Sequence, residues 1–221
     1  MKNLLKALIS NGVIIAAGVS IVYFFGSTNP TPSPSSTQQP SLKPVIGQKA
    51  PDFSGITYTD ERIKLSDYLG KIVVLEWKNH LCPFVKKHYN SNNMQQLQQS
   101  LTQKGVVWIS IISSAEGKQG HMTKSECEKQ IQKENSFATT VILDESGDIG
   151  RLYNAKTTPH MFVINQQGTL AYMGAIDSIR STRVADVNKA TNYVVEAVTA
   201  IENNTTPTTT STPAYGCSIK Y

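Results

Sequence analysis

Val73-Val74-Leu75-Glu76-Trp77-Lys78-Asn79-His80-Leu81-Cys82-Pro83-Phe84-Val85-Lys86-Lys87-His88-Tyr89 is the stretch on which the fold turns. Its first part is the near-continuous apolar run of a strand buried on both faces. A short polar step then leads into a cysteine followed by proline. Proline favours the first helical position, so a helix is predicted from Pro83, with Cys82 at its N-terminal end. Unpaired backbone N–H groups and the positive end of the helix dipole meet there, and Lys86, Lys87 and His88 add positive charge nearby. All of these favour a thiolate. Cys82 is therefore the candidate nucleophile, set against the plainer reading of a small buried apolar residue.

Outward from this stretch, the elements alternate. Ile63–Gly70 reads as an extended piece and a turn before the strand Lys71–Trp77. The helix from Pro83 is interruptible at Asn90–Asn93, and Met94, Leu97 and Leu101 continue a helical apolar face beyond it. Val106–Ile112 reads as the next strand. Thr123-Lys124-Ser125-Glu126 is a capping box, which predicts a helix to about Lys133. Thr140–Leu143 reads as a strand and Gly147–Asn154 as a short helix. Met161–Ile164, Gln166-Gln167-Gly168 and Thr169–Met173 make a strand, turn and strand. Val187, Ala190, Val194, Ala197 and Ile201 space out a last helix.

This order is that of a thioredoxin-like α/β fold, a central mixed sheet flanked by helices. The segment from Val45 to Asp177 resembles the redoxin, or AhpC/TSA, superfamily of thioredoxin-fold proteins. Three features carry the resemblance: Ala50-Pro51-Asp52-Phe53, the junction from Trp77 to Cys82-Pro83, and Thr157-Thr158-Pro159 before a strand. The ending Tyr215-Gly216-Cys217-Ser218-Ile219-Lys220-Tyr221 narrows it to a peroxiredoxin-like subgroup. The resemblance implies a thiol–disulfide oxidoreductase or antioxidant protein with Cys82 as nucleophile. It also implies a cis-proline loop at Thr158-Pro159 lying against that thiol, and Trp77, Pro83, Thr158 and Pro159 as substrate contacts. It implies no cofactor, and as partners protein or small-molecule disulfides and thiols, with peroxide as a further substrate.

The family's patterns are not complete in this chain. A Cys-x-x-Cys pair laid over Cys82 puts Val85 where the second thiol would stand. The peroxiredoxin pattern Pro-x-x-x-Thr/Ser-x-x-Cys, counted back from Cys82, meets Asn79 and Leu75. Ordinary peroxidase chemistry is therefore not what these residues imply.

Three cysteines are present: Cys82, Cys127 and Cys217. Cys127 falls in an amphipathic helix and reads as a half-buried structural residue. Cys217 lies in a tail rich in aromatic residues behind a Thr/Pro tether, and is the candidate resolving thiol for Cys82. An unpaired tail thiol and a dimer bridge are the alternatives. His160 either tunes the thiolate or caps a strand, and His121 reads as a surface residue. Two other functions stay open: a thioredoxin-fold protein handling a soft metal such as copper(I) through Cys82 with His80 or His160, with Cys217 as a further ligand, and a non-catalytic module binding partners at the cis-proline groove.

The chain has 221 residues and a net charge of +5. Its cations are scattered, so a nucleic-acid surface has little support. Residues 1–25 read as a signal anchor or signal peptide, with an uncharged run from Ala7 of about the ~20 residues a bilayer crossing needs. Residues 26–44 form a Ser/Thr/Pro-rich linker, 45–202 the redoxin domain, and 203–221 a flexible Thr/Pro-rich tether and cysteine-containing tail. The expected location is the cell membrane, single-pass, with the domain on the extracytoplasmic side, or secretion if the signal is cleaved.

Overall fold

A computed structural model describes residues 43–221. The signal segment 1–25 and nearly all of the linker 26–44 lie outside the described residues. Among those described, no helix is long and apolar enough to cross a membrane.

Two apolar runs make the centre. Strands β3 (Val73–Trp77) and β4 (Val107–Ile112) are buried along their whole length and pair in parallel. The lone acidic residue of β3, Glu76, is tolerated because donors surround it: Trp108 Nε1 at 2.8 Å, Ser110 Oγ at 2.9 Å, Tyr89 OH at 3.0 Å and Gln98 Nε2 at 3.2 Å. β5 (Thr140–Leu143) extends the parallel side. On the other side, β7 (His160–Ile164) and β8 (Leu170–Gly174) add antiparallel strands, giving the order β5-β4-β3-β7-β8. Ahead of the sheet stand the hairpin of β1 (Ser54–Ile56) and β2 (Arg62–Lys64) and a 3-10 turn at Leu65–Tyr68.

The helices follow their sequence signals closely. α1 (Pro83–Asn90) begins at the expected proline, and Asn92 in the left-handed region separates it from α2 (Asn93–Thr102). In α3 (Lys124–Glu134), the Thr123 side chain accepts from Glu126 N–H while the Glu126 carboxylate accepts from Thr123 N–H, closing both halves of the capping box. α4 (Asp148–Leu152) is the short helix expected there. The last helix differs from expectation. Val187 lies in a 3-10 turn (Val184–Lys189) and Ala190 is extended. α5 (Tyr193–Glu202) starts only where the Asn192 side chain accepts from the Val194 and Val195 N–H groups.

The largest departure is the end of the chain. Residues 203–213 were expected to be a flexible spacer, yet they pack on the domain. The chain passes along the free edge of β8: Met173 N–H donates to Thr210 O at 3.1 Å and Thr212 N–H to Met173 O at 3.2 Å. Thr212 Oγ1 meets the Tyr172 hydroxyl at 2.7 Å and accepts from Ala175 N–H at 2.9 Å. Beyond it, β9 (Cys217–Ser218) pairs antiparallel with β6 (Thr157–Thr158). Ile219 N–H donates to Lys156 O at 3.0 Å, and Ala115 N–H to Lys220 O at 2.9 Å. The final residues thus form a strap over the C-terminal end of β3.

Candidate active site

Cys82 stands between the end of β3 and the first turn of α1, fully buried in the apolar cluster that also holds Val85, Met161 and Ile176. Its sulfur lies 3.1 Å from the Thr158 carbonyl oxygen, and the Thr158–Pro159 peptide beside it is cis. Its other neighbour comes from the strap: Cys217 Sγ is 2.6 Å away, with no disulfide formed. The β6–β9 register, which sets Cys217 opposite Thr158, creates this meeting.

Gly216 makes the register feasible. It adopts φ +140°, and a Cβ there would overlap the Thr158 carbonyl oxygen. Tyr215 fixes the strap on the other flank. Its ring meets Phe84 edge-on at 5.7 Å between centroids, and its hydroxyl donates to Asp177. Asp177 also holds the buried ammonium of Lys87 at 2.8 Å, so the strap and α1 share one carboxylate.

Burial opposes a thiolate at Cys82. Hydrogen bonds from the Cys217 side chain and from the Val85 and Cys217 N–H groups outweigh it and hold the Cys82 thiol below its ordinary value. Cys217 moves the other way, to about 11, through burial and the neighbouring Cys82 sulfur. The cationic side chains expected to assist do not contribute. Lys87 is committed to Asp177 and to the Ile179 carbonyl at 3.0 Å, Lys86 points to solvent, and burial lowers His88 to about 4, leaving it uncharged at neutral pH.

The remaining candidates separate. Pro83 is exposed, while Thr158 and Pro159 are buried beneath the strap. Trp77 does not offer the substrate contact expected of it: it is fully buried, donates through Nε1 to Ser113 Oγ at 3.0 Å and packs on Tyr153 and Phe162. It supports the junction from inside. Burial also lowers His160 to about 4, and the ring lies tilted at 4.6 Å from that of Phe162. Cys127 is more buried than expected, grouped with Ile112, Met122 and Val141, and burial raises its thiol to about 11. Among the described residues, no three His, Cys, Asp or Glu side chains converge as a metal site.

Sequence reasoning did not single out Asp177, Phe84 or Gly216 as site residues. Gly216 carried a signal, a glycine directly before the tail cysteine. The burial of Lys87 that makes Asp177 an anchor has no mark in the sequence.

A mixed sheet with a cysteine at the start of α1 and a cis-proline before β7 defines a thioredoxin-like protein. The AhpC/TSA family matches residues 46–173, and the chain belongs to that family. Among solved structures it is similar to an uncharacterized conserved protein of Geobacillus kaustophilus, at 22% identity and a TM-score of 0.70 over 80% of this chain and 92% of that one. It is likewise similar to a hypothetical protein of Sinorhizobium meliloti, at 20% identity and a TM-score of 0.68 over 81% and 96% of the two chains. At these identities the likeness concerns the fold, and it extends well past the segment that the family matches. No curated protein sequence matches the chain.

Proposed function

We propose that this protein is a thiol–disulfide oxidoreductase whose redox pair is Cys82 and Cys217. The observation that carries this reading is the contact between the two sulfurs at 2.6 Å beside the cis-proline loop. The pair is built from a thiol at a helix start and one on a separate strap, in place of the Cys-x-x-Cys of a single turn.

The chemistry follows from the asymmetry of the two thiols. The strap lifts off β6 while the Cys82 thiolate keeps the Val85 N–H, and that thiolate attacks one sulfur of a substrate disulfide. That bond breaks, the first substrate sulfur departs as a thiolate, and a mixed disulfide remains on Cys82. The strap re-docks and brings Cys217 to the same sulfur. Cys217 gives up its proton and attacks Cys82 Sγ, which releases the second substrate thiol and forms the Cys82–Cys217 disulfide. Two electrons have moved from the pair to the substrate, and an external dithiol restores them. Thr158 and Pro159 position the partner against Cys82, while Pro83 flanks the opening. On this reading the N-terminal segment tethers the domain at the extracytoplasmic face of the membrane, where disulfides persist.

Turnover of a fluorescent peptide disulfide by the full chain tests the proposal. Cys82→Ser should abolish turnover. Cys217→Ser should retain formation of a mixed disulfide on Cys82 but lose its resolution. Equal turnover by the wild type and Cys217→Ser would remove Cys217 from the pair, and turnover by Cys82→Ser would overturn the assignment altogether.

A further inference from the structure

A polar cavity of about 410 Å³ borders the loop that carries Cys82, walled by that loop, by α1, by the start of α2 and by the end of α3. His80 and Leu81 reach it from just before the cysteine, Val85 and Lys86 from the first helical turn after it. Val85 belongs both to the cavity wall and to the apolar cluster that holds Cys82. The strap takes no part in this wall.

Two buried polar atoms of the lining have no partner. Gln95, on the wall, is only 7% exposed. Its Nε2 donates to the Tyr89 carbonyl at 3.0 Å and to the Glu134 carbonyl at 2.8 Å, which commits both hydrogens, fixes the amide and leaves Oε1 without a donor. His80 Nδ1 is likewise unpartnered. A buried acceptor left alone is costly, so a ligand that brings an N–H is favoured here. Charge sets the other requirement. Glu134 is already satisfied: Lys78 pairs with one carboxylate oxygen and Gln130 Nε2 donates to the other at 2.7 Å. Lys86 and Lys133 line the exposed part of the cavity, and neither pairs with a carboxylate among the described residues. Burial holds the His80 imidazole below its ordinary value, so it stays neutral at neutral pH and the surplus charge is that of two ammonium groups.

Resting on the oxidoreductase reading above, we propose that this cavity is a specificity subsite for substrate peptides that carry acidic residues close to the reactive disulfide. A peptide supplies both requirements at once: a backbone N–H for Gln95 Oε1 and side-chain carboxylates for Lys86 and Lys133. The volume lies within the range of small-ligand pockets, about 300–1,000 Å³, which suits a short segment of chain and not a folded domain. Leu81, 41% exposed directly before Cys82, is the apolar surface such a segment crosses between the cavity and the thiol. Peptides with basic residues in the same place meet the two ammonium groups and are rejected. Because the cavity holds the peptide away from the sulfurs, its contribution is the same before and during exchange, and it belongs in KM and not in kcat.

The test uses the full chain and two kinds of probe. Calorimetry with the cysteine-free peptides acetyl-Ala-Asp-Glu-Ala-amide and acetyl-Ala-Lys-Lys-Ala-amide should detect the acidic one at about millimolar concentration and not the basic one. In turnover, a fluorescent peptide disulfide flanked by Asp-Glu should show a KM at least fivefold below that of its Lys-Lys counterpart at similar kcat, the scale of two exposed ion pairs. Lys86→Gln combined with Lys133→Gln changes two exposed side chains and should abolish both differences. Equal binding of the two peptides, no binding of the acidic one, or an acidic preference that survives in the double variant would overturn the subsite while the redox pair stands. Absence of turnover with every disulfide peptide would overturn the redox reading, and this inference with it.

Discussion

The sulfur of Cys82 lies 2.6 Å from that of Cys217 across 135 residues of sequence. Neither residue makes this contact alone. The helix start fixes one thiol, and a strap laid along β8 and paired with β6 delivers the other. Properties of the strap should therefore appear as properties of Cys82.

Gly216→Ala tests the delivery. Alanine is strained at φ +140° and its Cβ would overlap the Thr158 carbonyl, so β9 should lift from β6 while the sheet stays intact. The expected result is intramolecular disulfide formation at least tenfold slower, with Cys82 alkylated faster in the reduced protein. Unchanged rates would mean that the strap closes without the β6–β9 pairing.

Tyr215→Phe tests the anchor. Removing the hydroxyl takes one of two donors from Asp177 Oδ1, which keeps the Ile179 N–H at 3.1 Å, a loss of about 1 kcal/mol. The loss should fall on strap docking more than on the global fold, so Cys82 alkylation should rise at least fivefold while the urea midpoint moves little. A large drop in the urea midpoint with no change at Cys82 would show that Tyr215 holds the core and not the strap.

How far the sequence announced these features differed by element. β3 and β4 were legible because their runs are apolar on both faces, and α3 because Thr123 and Glu126 stand three apart. α5 was placed too early: Val187 and Ala190 continue its apolar period, but the Asn192 cap decides the start. Within the strap, it is the 203–213 stretch that reads as a free spacer, and for a physical reason. A Thr/Pro-rich segment has too little apolar surface to fold by itself, yet Thr210 and Thr212 need none, since they satisfy the backbone edge of β8 and the hydroxyl of Tyr172. Edge pairing is invisible to composition. At the site, the cysteine at the start of α1 and the Thr-Thr-Pro before β7 could be read directly. That Lys87 and His88 would turn inward, and Trp77 away from the substrate face, depended on packing across the sheet.

The acid response should reveal two buried histidines. His88 and His160 are held near 4, against an ordinary 6.5, by burial, so both stay neutral when folded while the unfolded chain takes up protons below pH ~6.5. Their contribution to stability is present above that pH and is lost as pH falls toward 4, about 2 kcal/mol for each by pH ~5. Urea unfolding at pH ~7.5 and ~5 measures the difference, and His160→Leu should reduce it. An unchanged difference in that variant would assign the acid sensitivity to other groups.

The pH profile of Cys82 reports on its partner. The Cys217 side chain is the largest of the groups holding the Cys82 thiol low, so Cys217→Ala should move the alkylation midpoint of Cys82 upward. Rates of iodoacetamide modification against pH, with the modified peptide identified, give both midpoints. A midpoint at or below that of the wild type would mean that the helix start alone activates the thiol.

The most direct test is to titrate the full chain through glutathione redox buffers, quench with acid, alkylate, and map every cysteine. The account expects Cys82 and Cys217 to lose alkylation together, in equal amounts and with one midpoint potential, while Cys127 stays reduced throughout. A Cys82–Cys127 disulfide, or Cys82 found only in mixed disulfides with Cys217 still alkylatable, would contradict it.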